Sequence, residues 1–145
     1  MRDKALAYLE AHNVMTLATR SVWAAAVFYA NDGFDLYFLS SPASRHARDL
    51  AADPRVAAAV HEDYRDWRAI QGVQLSGTAE RLEGAARDAA LARYRQKFSF
   101  LGNAPAPVME ALGKAACYRL AAAEVHFVDN SAGFGTRTQV LHPSR

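Results

Sequence analysis

The chain has 145 residues, 51% of them hydrophobic and 22% charged, a size and balance that suit one domain across residues 1–145. Its single cysteine, Cys117, excludes an internal disulfide framework, a Cys-x-x-Cys redox pair and a cysteine-rich zinc module. With 17 basic residues dispersed among 15 acidic ones for a net charge of +2, there is no basic stripe of the kind nucleic acid requires. The first 30 residues carry Asp3 and Glu10 and no long apolar run, so neither a leader nor a membrane span is expected, and the cytoplasm is the expected location.

Residues 3 to 12 place Ala5, Leu6 and Leu9 at helical spacing among charges, which predicts a short amphipathic helix. Val14 to Thr19 alternates as a strand, and the β-rich run Val22 to Ala30 predicts a second one after the polar connection Arg20-Ser21. Asn31-Asp32-Gly33 is a hairpin turn signal, so the strand Asp35 to Ser40 is expected to pair back on Val22 to Ala30. A helix from Ser44 to Ala52 follows, capped by Ser41 or Ser44 and closed by Asp53-Pro54.

Val56 to His61 reads as the next strand, Glu62 to Arg68 as a loop, and Ile70 to Leu82 as a long strand with Gly72 and Gly77 at bulges or close approaches. Residues 85 to 100 have a helical aromatic and alanine face. Residues 101 to 108 read as an internal loop, with a short helical piece near Val108 to Leu112. The last long strand covers 117 to 129 with a bend at 121 to 123; a glycine-containing loop follows at 130 to 135, and residues 138 to 141 could add a terminal strand. Strands with helices inserted at two points, without regular βα alternation, predict a mainly β fold: a six-stranded antiparallel split barrel with short flanking helices.

The five histidines never recur at the spacing that puts two imidazoles on one face, so no metal site is expected. Nucleophile elbow, Walker motif and G-x-G-x-x-G are all missing from the sequence. One polar cluster stands out: Ser40, Ser41, Ser44, Arg45 and His46 fall between a strand end and a helix start. Hydroxyls, a guanidinium and free helix N–H groups together can seat a phosphate dianion. A serine-capped helix with solvated charges is the other reading of the same residues.

The run Tyr37 to Val56, with Ser44-Arg45-His46 and Asp53-Pro54-Arg55-Val56, resembles the pyridoxamine 5'-phosphate oxidase-like split-barrel flavoproteins, as does Gly77-Thr78-Ala79-Glu80-Arg81-Leu82. The closing stretch Phe127 to Arg137 is most similar to the small YhbP-like branch of that superfamily. The resemblance implies a homodimer with FMN in a cleft between subunits, an oxidoreductase of unknown small-molecule substrate, or a non-catalytic ligand-binding or sensor protein on the same scaffold. Deazaflavin, haem or no cofactor are the alternatives to FMN.

By position, the resemblance puts Ser40, Ser44, Arg45 and His46 at the FMN phosphate, Ala26, Val27 and Tyr29 along the flavin, and Phe134 and Arg137 in the closing loop. Gly72 stands where the oxidase has a glutamine at the ring, and Gln74, on the same face, is its substitute. Ala24 and Tyr29 stand where the oxidase has basic residues, so pyridoxamine phosphate oxidation itself is not expected. Beside a phosphate, the His46 imidazole would be drawn above its usual pKa. Trp23, Tyr29 and Trp67 are the bulky candidates near a substrate.

Overall fold

The computed structural model describes residues 1–144. A first helix, α1 (Arg2–Ala11), leads into β1 (Val14–Thr19), β2 (Trp23–Phe28), β3 (Ala30–Asp32) and β4 (Asp35–Ser40). Then come α2 (Arg45–Ala52), β5 (Arg55–His61), β6 (Gln71–Arg81) and α3 (Gly84–Lys97). The chain ends with α4 (Ala106–Lys114), β7 (Ala116–Asp129) and β8 (Arg137–Leu141). All strands belong to one antiparallel sheet in the order β2-β1-β5-β6-β7-β4-β3, with β8 beside β7. This is the expected split barrel, with eight strands in place of six: the terminal strand forms, and the run 22–30 divides in two.

That division sets the architecture. β2 and β3 are separated only by Tyr29, yet they stand at opposite ends of the strand order. The sheet must therefore curl until its two edges meet, and the seam between them is joined by main chain at Tyr29 rather than by strand pairing. The expected pairing of Asp35–Ser40 on residues 22–30 holds only for β3, where Ala30 faces Tyr37; the whole of β4 pairs with β7. No glycine or proline marks the break. The curl imposes it, and at the break the Tyr29 side chain is fully buried and donates its hydroxyl to the Leu9 carbonyl of α1 at 2.6 Å.

Alternation along β1 sends Met15 and Leu17 inward and leaves Val14, Thr16 and Ala18 exposed. The inner face closes over Ala5, Tyr8 and Leu9 of α1 and over Ala47 and Leu50 of α2. At the curl, the β6–β7 register shifts between Ser76 and Gly77, and a Cβ on Gly77 would run into the Ala121 carbonyl. Glycine is required there, and β7 takes the expected bend as a bulge while remaining one strand. α3 packs on the opposite side of β3 and β4, through Tyr94 and Phe98 against Ala30 and Leu39. The helix expected to run to residue 100 stops at Lys97, followed by a 3-10 turn over Ser99–Asn103. α4 is longer than the expected piece and contributes no buried side chain.

Candidate active-site cleft

The helix start of α2 lies beside the β1–β2 turn. Ser44 is the N-cap, its Oγ accepting from the Ala47 N–H at 3.4 Å, and the Arg48 N–H is bonded to the Ser44 carbonyl; the first-turn N–H groups of Arg45 and His46 have no protein acceptor among the described residues. Arg45 projects from this turn across the β1–β2 connection. Its guanidinium lies 4.2 Å from the centre of the Trp23 ring, and its Nε donates to Ser21 Oγ at 3.1 Å. Ser21 in turn donates to Asp49, which also accepts from Thr19 Oγ1 at 2.7 Å. These hydrogen bonds, from Ser21 and then Thr19, hold the Asp49 carboxyl below its usual range, so it stays ionised and anchors the turn.

The turn itself is strained. Val22 has φ of 59° and is 96% exposed, an outlier for a β-branched residue. Its conformation carries the chain from Ser21, under Arg45, into Trp23. Ser21, Trp23 and Asp49 thus complete the surroundings of Arg45, and only Trp23 was suggested by the sequence. Spacing could not reveal the others, because Ser21 and Asp49 are 28 residues apart.

Ser40 and His46 pair with each other. Ser40 Oγ and His46 Nε2 share a hydrogen bond of 2.7 Å, and Ser40 is buried. The Ser40 hydroxyl therefore points inward toward α2, and Ser41 presents the exposed hydroxyl. Burial lowers the His46 pKa in the protein alone, opposed by the Asp49 charge; the rise expected beside a phosphate belongs to the ligand-bound state. The Tyr29 side chain is fully buried in the seam, on the Leu9 carbonyl, and is not part of the lining of the cleft beside β2.

From Trp23 the edge strand β2 leads to a cleft of about 580 Å³ lined by Ala26, Val27 and Phe28, by Leu39, Ser40 and Ser41 at the end of β4, and by Tyr94 and one side of α4. Arg45 with the α2 start occupies one end of β2 and this apolar recess the other. Of the remaining sequence candidates, Gln74 is exposed on the outer face of the sheet, opposite Ala59 on β5 and His126 on β7. Phe134 and Arg137 lie beyond Asp129, whereas Ser40 faces Ala116 at the other end of the 14-residue β7. A single chain does not bring them to the cleft. There Phe134, 81% exposed, meets the Trp67 ring edge-on at 5.8 Å. Asn130 ties that loop down, donating to the Trp67 carbonyl at 2.9 Å.

Residues 1–129 match the family model of pyridoxamine 5'-phosphate oxidase. The chain is 35% identical over 126 residues to the UPF0306 protein YhbP of Salmonella paratyphi A, covering 86% of this chain and 80% of that one. A haem-binding protein from Mycobacterium smegmatis superposes with a TM-score of 0.76 at 28% identity, over 97% of this chain but only 57% of that one. An FAD-binding protein from Mesorhizobium loti has a TM-score of 0.64 at 22% identity, covering 84% of this chain and 89% of the other. With a family match running from α1 to the end of β7 and so covering α2 and the cleft, the chain belongs to the pyridoxamine 5'-phosphate oxidase family, and YhbP proteins are among its relatives.

Proposed function

We propose that this protein is a homodimeric, cytoplasmic FMN-binding protein of the oxidoreductase type, acting on a small molecule and on neither nucleic acid nor membranes. The observation that carries the reading is the layout of β2: a guanidinium and a helix N-terminus at one end, an apolar recess at the other. Phosphate suits the Arg45 end, by charge and by the Arg45 and His46 N–H groups that the cap leaves without a protein acceptor. The flat ring suits the apolar floor of Ala26, Val27 and Phe28, where Ala26 permits close approach and Phe28 offers an aromatic face. Bound FMN would supply hydride or electron transfer; the chain's own residues orient it, and α4 shields the ring from water.

Within one subunit the phosphate end has Arg45 but no basic residue at 24 or 29, which weakens the hold. Phe134, Arg137 and Gln74 lie far from this cleft in their own chain, so the reading assigns them to the partner subunit's cleft. Among the described residues no helix is long and apolar enough to cross a membrane.

Haem is the second reading, favoured by the likeness to the haem-binding protein from Mycobacterium smegmatis. The cleft lining opposes it: no histidine, cysteine or methionine lines it, and the Tyr94 phenol is pushed toward its neutral form by burial, so an axial ligand is lacking there. Titrating FMN and haemin separately into the protein, followed by visible absorption, decides between them. FMN is expected to bind, and Arg45→Ala to weaken it about ten- to a hundredfold. Haemin binding with a sharp Soret band and no FMN binding would replace this reading with the second. Light scattering is expected to give twice 15.9 kDa; a monomer would remove the partner's share of the site.

A further inference from the structure

On the outer side of β4, under α3 and α4, lies a second cavity of about 500 Å³, within the range of small-molecule sites. Its principal wall is one stripe of α3, with Arg87, Leu91 and Arg95 at intervals of four residues and Tyr94 beside them. Met109 and Leu112 of α4 form the facing wall. α4 buries none of its side chains, and Met109 remains 48% exposed. The helix stands over open space instead of packing on α3.

The charges around this space have one sign. Arg87 and Arg95 line it, and no aspartate or glutamate does. Arg55, Arg68, Arg81, Arg93 and Arg119 each have a carboxylate partner, while Arg87 and Arg95 have none among the described residues. Ser99, one turn beyond Arg95, adds a hydroxyl at the same end. Tyr94 is 7% exposed, and its hydroxyl has no protein hydrogen-bond partner among the described residues. An apolar chamber with half-exposed Arg87 and exposed Arg95 at its rim, neither engaged by a carboxylate, suits a ligand with an apolar body and an anionic head.

We propose that this chamber binds a small aliphatic carboxylate of the medium-chain fatty-acid class, its chain beneath α4 and its carboxylate at the Arg95–Ser99 end. Arg87, about 12 Å along the helix, adds positive potential from the other end of the stripe. The chamber shares Leu39, Tyr94, Leu112 and Ala115 with the cleft beside β2, but its assignment does not depend on what that cleft holds. Filling it would bury Met109 and Leu112 and fasten α4 down.

The test is calorimetric titration of the full chain, without added cofactor, with decanoate and with decanol. Decanoate is expected to bind about tenfold more tightly than decanol. Arg95→Gln should bring the two affinities together. Gly113→Phe should abolish binding of both while the protein still melts cooperatively, since a Cβ at Gly113 meets nothing within 4 Å and the ring can occupy the chamber. The proposal is overturned if wild type does not bind decanoate, if decanol binds as tightly, or if Arg95→Gln keeps the wild-type preference. Unchanged decanoate binding by folded Gly113→Phe overturns it too; should that variant not fold, the Arg95→Gln comparison decides alone.

Discussion

The two faces of the sheet are built from the same strands and follow different rules. On the inner face Met15, Leu17, Val60 and Val73 are almost wholly buried. On the outer face one row crosses five strands as Ala26, Thr16, Ala59, Gln74 and His126, and the next as Ala24, Ala18, Ala57, Ser76 and Glu124. Period-two alternation puts the large side chains on one side. The other side is kept smooth, and alanine, which adds little to a strand, makes it so. A face not needed for folding and levelled by small residues is suited to lying flat against a ring or a second copy of the sheet, and this is where the proposed dimer draws its support.

The contrast is broken most directly by paired substitutions on neighbouring residues of β1. Leu17→Ala should cost about 2 to 5 kcal/mol of unfolding free energy, through lost burial and the cavity left behind. Ala18→Ser, one residue on and facing outward, should stay within about 0.5 kcal/mol. Urea denaturation measures both, and similar losses would mean that the outer face is part of the core. Ala18→Arg sharpens the same comparison: it should fold normally and shift light scattering toward monomer if copies of this face meet.

The seam is the next place to press. Tyr29 is the point where the two faces exchange edges, and its hydroxyl reaches α1 through a fully buried side chain. Tyr29→Phe removes the shorter of the two hydrogen bonds the Leu9 carbonyl accepts, leaving the one from the His12 N–H at 3.4 Å, and should cost about 0.5 to 1.5 kcal/mol. No change in the denaturation midpoint would show that the hydrogen bond is replaced by water.

These positions also explain how much could be read in advance. Strand alternation, the Asp32-Gly33 turn and the Ser44 cap are local signals, and they locate the elements within a few residues. Gly77 announced a close approach, and the structure supplies the Ala121 carbonyl that makes it obligatory. The break at Tyr29 gave no warning because it is imposed by curling: a continuous β-rich run is divided when its two halves must join opposite edges. The site divides in the same way. Ser44 and Arg45 stood out because a cap is local, whereas the Ser21, Trp23 and Asp49 surroundings of Arg45 and the α4 wall depend on contacts between distant segments. For His46 the sequence could weigh only the charge of an expected ligand, whereas burial and the Ser40 contact, which act on it in the protein alone, depend on the fold.

A smaller effect belongs to the turn that holds Arg45. Val22 has a positive φ and almost no packing to lose, so Val22→Gly should stabilise the chain by about 0.5 to 1 kcal/mol through release of strain, partly offset by the added freedom of the unfolded state. If the strained turn positions Ser21 and Trp23 around Arg45, the same variant should bind FMN more weakly while melting higher. A parallel rise in melting temperature and affinity would separate the strain from the site.

The smallest expected effect distinguishes the outer layer from the barrel by pH. Lys97 of α3 donates to the His12 carbonyl at 2.5 Å and lies 4.2 Å from the centre of the Tyr29 ring. Burial lowers its pKa to about 8, against the pull of Glu10. The unfolded chain keeps a lysine near its ordinary value, so between about pH 8 and 10.5 it holds more protons than the folded one. Stability contributed by this group must therefore rise with pH across that window, and the penalty for the buried charge is fully present below it. Partial solvent access screens the ammonium and keeps the slope shallow. Lys97→Met should flatten the slope between pH 8 and 10.5 and stabilise the protein slightly at pH 7, measured by urea midpoints across that range. A wild-type midpoint that falls over the window, with Lys97→Met less stable at pH 7, would show instead that the charged hydrogen bond to His12 holds α3 against α1.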